Sequence, residues 1–196
     1  MGGPPLGPQG PPPPDPDGRG YNLWEARRTL GFVGGLVVAF AAWELGFAVR
    51  PGNPKGIRDV ADLARPDVRL VNREPGSGSR VLLDGLLAQA GLEPAGIAGY
   101  GFVVTSHLAV ARVVAGGGAD VGVTLRAAAR ALGLEFIPLA AARFDLLVPA
   151  DLVDHPAVRV LLDVLQTRAF RAELGALPGY DVGRTGTVLA RVPAAA

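Results

Sequence analysis

From Asp59 onward, short runs of β-branched and aromatic residues alternate with longer stretches in which apolar residues recur every three or four positions. The helical stretches open on small or hydroxyl residues and close on glycine, which is the grammar of an α/β fold. Residues 68–73 and 101–104 read as strands, each followed by a helix, over 79–90 and 107–115. In the first helix Val81, Leu82, Leu83, Leu86, Leu87 and Ala90 fall on or near one face, and Gly91 ends it. The second is closed by the glycines at 116–118. The alternation continues with a strand over 121–123, a helix over 125–132 ended by Gly133, and strands over 135–138 and 145–148. Pro156 stands at a helix start before a stripe of Val160, Leu161, Val164 and Leu165, and residues 168–174 form a second short helix.

Upstream the pattern is different. Residues 30–49, LGFVGGLVVAFAAWELGFAV, hold a single charge, Glu44, and follow Arg27 and Arg28. One reading is a membrane span or a twin-arginine export signal. Against it, Glu44 would cost about 2.5 kcal/mol or more deep in lipid. Four glycines interrupt the run, and Leu36–Phe40 reads equally well as a buried parallel strand. Residues 1–20 hold 8 prolines and 6 glycines. Such a segment lacks donors at every proline and buries little, so residues 1–14 are expected to be a disordered or polyproline tail without a function of their own.

Composition narrows the function. Over 196 residues, 49% hydrophobic and 19% charged positions exclude disorder for the bulk of the chain. The net charge of +1 provides no basic field, so direct nucleic-acid binding is not expected. The absence of cysteine excludes disulfides, iron–sulfur clusters, thiolate zinc sites and cysteine nucleophiles. Two histidines, His107 and His155, leave little for a metal cage. Neither a metal nor a resident cofactor is expected. Catalysis finds no constellation: Ser77 or Ser79 would need a general base, no GxSxG elbow is present, and acid pairs such as Glu44 with Glu74 or Asp145 have no informative spacing. The chain reads as a binder and not an enzyme.

The candidate chemistry lies in Asn72–Arg80, NREPGSGSR, which sets Gly76, Ser77, Gly78 and Ser79 between a strand and the first turn of a helix. A helix start leaves four N–H groups without intrahelical partners and carries about half a positive charge, and glycines admit a ligand close to the backbone. The competing reading is structural: Ser79 caps its helix and the glycines form a tight turn. A second junction, Val104-Thr105-Ser106-His107, repeats the arrangement. Helices that follow parallel strands start at the same sheet edge, so both hydroxyl-bearing N-termini can face one crevice. The expected ligand residues are Ser77, Gly78, Ser79, Arg80, Thr105, Ser106, His107 and Thr124. Neutral donors should dominate, because Arg80 lies inside its helix and is placed to point away.

Taken in order, PGNPKGI (51–57), NREPGSGSR (72–80), TSHLAVARVVAGGGADVGV (105–123), AARALGLEFIPL (128–139), RFDLLVP (143–149) and GYDVGRTG (179–186) resemble the periplasmic-binding-protein-like domain related to molybdate-binding proteins. The resemblance implies an α/β, type-2 periplasmic-binding-protein-like fold with two lobes of open, mainly parallel sheets that close on a ligand. It places a partial first lobe at 15–49 and 146–196 and a second lobe at 50–145, with AWELGFAV as the first crossing strand and the return near Phe144–Val148. Half of the first lobe is expected to be missing, and Phe144 stands where relatives often carry tyrosine. The implied ligand is a small oxyanion such as molybdate or tungstate. The implied role is a cytoplasmic sensor, associated or fused with a helix-turn-helix or molybdopterin-biosynthesis partner. The alternative is an exported, periplasmic or membrane-anchored solute-binding protein of an ABC transporter.

Overall fold

A computed structural model describes residues 34–193. The expectations for the tail at 1–14, for the rest of the chain up to residue 33, and for the last three residues lie outside it. Two 15-residue strands organise what is described: β1, Gly35–Val49, and β5, Glu135–Pro149. They pair antiparallel along nearly their whole length, from Gly35 opposite Pro149 to Val49 opposite Glu135.

At one end of this ribbon, β1 also pairs antiparallel with β4, Val121–Leu125. Parallel to β4 lies β2, Leu70–Arg73, and parallel to β2 lies β3, Val103–Val104. The order is β3-β2-β4-β1-β5. Three helices follow the three short strands in turn: α1, Gly78–Gln89, after β2; α2, His107–Ala115, after β3; and α3, Arg126–Ala131, after β4. At its middle β1 pairs with β6, Tyr180–Asp181, and at the other end with β7, Val188–Val192. There α4, Pro156–Gln166, and α5, Arg168–Gly175, complete the chain. The α/β class is as expected, and the sheet is mixed: parallel among β2, β3 and β4, antiparallel wherever β1 takes part.

Two elements differ from the sequence reading. Leu36–Phe40 is not a buried parallel strand; it belongs to β1, whose partners are all antiparallel. Its continuous apolar run reflects burial on both faces, with Leu36, Val37, Val38 and Ala39 all 6% exposed or less, a pattern that carries no information on strand direction. The segments 135–138 and 145–148 are not separate strands but the two ends of β5. Pro138 cannot donate to a ladder, yet the strand survives because the register shifts there, with Leu45 opposite Ala140 and Gly46 opposite Pro138. Arg143 and Asp145 stand two apart on one face, where the guanidinium donates to both carboxylate oxygens at 3.1 and 2.9 Å.

Of residues 30–49, Gly35–Val49 form a strand, and no helix among the described residues is long and apolar enough to cross a membrane. Two cores flank the sheet at the α1–α3 end. One gathers Leu45, Val71, Val110, Val114 and Ala129 under α2 and α3; the other gathers Phe47, Leu63, Leu70, Leu83, Leu87 and Val121 under α1. A third joins Leu36, Val38 and Val148 to Leu165 of α4.

Gly122 is where α2 and β2 come closest to the middle of β4: a Cβ there would lie 2.5 Å from Val110 Cγ1 and 2.8 Å from Val71 Cγ1. Gly122→Ala should therefore overpack two fully buried valines and lower stability by about 1–3 kcal/mol, read from the urea midpoint at unchanged slope.

Candidate functional site

β4 runs from Val121 opposite Val49 to Leu125 opposite Leu45, so the carboxyl ends of β2, β3 and β4 point toward the middle of β1. Arg73 and Val104, the last residues of β2 and β3, are parallel partners. The loops that leave them therefore start side by side, and with them the N-termini of α1 and α2. The two hydroxyl-bearing junctions thus lie beside each other at the carboxyl ends of their strands.

The loop before α1 closes on itself. The Ser77 N–H and Oγ–H both donate to the Glu74 carbonyl, at 3.2 and 2.9 Å, and Ser77 Oγ accepts from the Arg80 N–H at 3.3 Å. Gly76 makes the turn with a φ of +87°, a region that favours glycine. Ser77, and not Ser79, is thus the cap of α1. Ser79 is left with another role. It is 3% exposed, and its Oγ has no hydrogen-bond partner among the described residues. Beside it Gly78 is exposed, and a Cβ there would meet nothing within 4 Å. A buried hydroxyl without a partner costs about 1–3 kcal/mol, so this atom marks a place where a partner is due.

At the second junction Ser106 caps α2, its Oγ accepting from the Ala109 N–H at 3.0 Å, and Thr105 is exposed in the loop. Thr124, fully buried near the end of β4, donates to the His107 carbonyl at 2.9 Å, and its oxygen lies 3.4 Å from His107 Nδ1. Burial, followed by the positive charge of Arg73, lowers the His107 pKa to about 4, against a smaller opposing effect of Glu74. The imidazole is neutral at pH 7. Arg80 is engaged within its own lobe: its Nε donates to both Asp84 oxygens at 2.9 and 3.0 Å, its Nη1 to the Arg73 carbonyl at 3.3 Å, and its guanidinium lies 4.1 Å from the centre of the Tyr100 ring.

The structure adds two residues the sequence reading did not place in the site. Arg73, 9% exposed at the end of β2, donates through Nε and Nη2 to the two oxygens of Glu74, at 2.7 and 2.8 Å. That contact holds the Glu74 carboxyl at a pKa of about 2. Their signal was the opposite-charge pair directly before the glycine–serine run in NREPGSGSR. The serines drew the attention because they are the residue types that cap helices and contact anions alike. Arg126, the first residue of α3, pairs through Nε with Glu44 of β1. The side chains so assembled offer hydroxyls, N–H groups and a guanidinium already bound to a carboxylate. They provide hydrogen-bonding contacts.

A parallel-stranded half-sheet whose helix N-termini open toward two long crossing strands is the arrangement in which α/β proteins take ligands at strand ends. Comparison with known proteins agrees. The model for the PBP superfamily domain matches residues 13–166, and the chain belongs to that superfamily. A Bacillus subtilis (strain 168) protein, YvgK, described as uncharacterized, is 36% identical over 169 residues, which are 86% of this chain and 54% of YvgK. An uncharacterized Clostridium pasteurianum protein, encoded in the 5′ region of a 2Fe-2S ferredoxin gene, is 36% identical over 110 residues, 56% of this chain and 97% of that protein. The chain thus spans about half the length of YvgK. Among solved structures, PEB3 bound to L-phospholactate superposes with a TM-score of 0.55 at 15% identity, covering 83% of this chain and 71% of that one. A structure described as a phosphate ABC transporter substrate-binding protein from Clostridium perfringens, with bound phosphate, gives 0.51 at 12% identity, covering 71% and 68%. These likenesses establish the fold.

Because His107 is held neutral, the folded protein resists protonation that the unfolded chain accepts near pH 6.5. The sign follows: above pH 6.5 the histidine contributes nothing, and as pH falls toward 4 the unfolded state gains. Between pH 7 and 5 stability should fall by up to about 2 kcal/mol through this residue, and His107→Asn should remove that part of the slope in urea melts at the two pH values.

Proposed function

We propose that this chain is a non-catalytic solute-binding domain for a small tetrahedral oxyanion, held at the paired starts of α1 and α2. The buried, unpartnered Ser79 Oγ carries the reading. It sits in the first turn of a 12-residue helix, where free N–H groups and the helix dipole favour negative charge. The open space over Gly78 lets the ligand reach that backbone. Neutral donors suit a doubly charged ligand, because hydrogen bonds to a charged group are worth about 1.5–3 kcal/mol each without a mobile cation. Molybdate and tungstate, suggested by the sequence resemblance, share this donor requirement with phosphate and sulfate.

Capping and binding separate on different serines. Ser77→Ala and Ser106→Ala each remove a cap and should cost about 1 kcal/mol of stability. Ser79→Ala removes a hydroxyl that nothing satisfies in the free protein. It should leave stability unchanged or slightly raised, yet weaken the tightest of phosphate, sulfate, molybdate and tungstate about tenfold to a hundredfold in calorimetry. An unchanged dissociation constant in Ser79→Ala would remove α1 from the site.

A further inference from the structure

We draw no further inference here: the strongest candidate, the exposed apolar flank of α4 formed by Val160, Leu161 and Val164, is an unpartnered helix face, and nothing among the described residues shows what covers it.

Discussion

One strand sets the position of every other. β1 bonds to β5 along nearly its whole length, to β4 at one end, to β6 at its middle and to β7 at the other end, so its 15 residues must be extended throughout and, Glu44 apart, uncharged. A strand of that length spans about 50 Å at 3.3–3.4 Å per residue, enough to run the length of both packed ends. Because β4 runs antiparallel to β1, its carboxyl end is delivered to the centre of the ribbon and not to an outer rim. The helix starts that follow β2, β3 and β4 inherit that position. The candidate site is therefore a consequence of strand direction, and only then of the residues placed on it.

Within the site the charges are arranged so that none is free to collapse onto another donor. Arg73 would be costly buried alone, and Glu74 answers it with two short hydrogen bonds. Arg80 is drawn off by Asp84 and Tyr100, whose hydroxyl donates to the same carboxylate at 2.6 Å. Among the described residues the Ser79 hydroxyl is buried without a partner, while the neighbouring Ser77, Ser106 and Thr124 hydroxyls are all engaged.

The sequence announced the α/β alternation, the helices over 107–115 and 156–166 nearly residue for residue, and the pairing of the two helix starts. Strand direction was not legible, because Leu36–Phe40 is buried on both faces and a strand so buried looks the same in either sense. The continuity of β5 was hidden by Pro138 and by the charges at 143 and 145, which ordinarily break a strand pattern and here are absorbed by a register shift and by each other. In the site, Ser77 and Ser79 are chemically identical in sequence. Only the geometry of the loop assigns the cap to Ser77 and leaves Ser79 bare. Arg73 was invisible for a related reason: a buried arginine declares itself through its partner, and Glu74 stood beside it in a stretch that read as a loop.

Glu44 shows how a residue that counts against one fold can hold another together. In an apolar run it argued against a membrane span; in the structure its carboxylate reaches Arg126 at the start of α3. Its backbone N–H donates to the Gly179 carbonyl at 3.0 Å, beside β6. Gly179 itself sits at a φ of +82°, and a Cβ there would lie 2.8 Å from Arg126 Cβ and 3.0 Å from Glu44 Oε2. Three distant segments thus meet at one point of β1, and the glycine is required by both conformation and space. With both side chains partly exposed, the ion pair itself is worth at most about 1 kcal/mol. Its value lies in register. By fixing Glu44 against Arg126 it fixes where the end of β4 and the start of α3 stand along the ribbon, at the place toward which the helix starts of the site are directed.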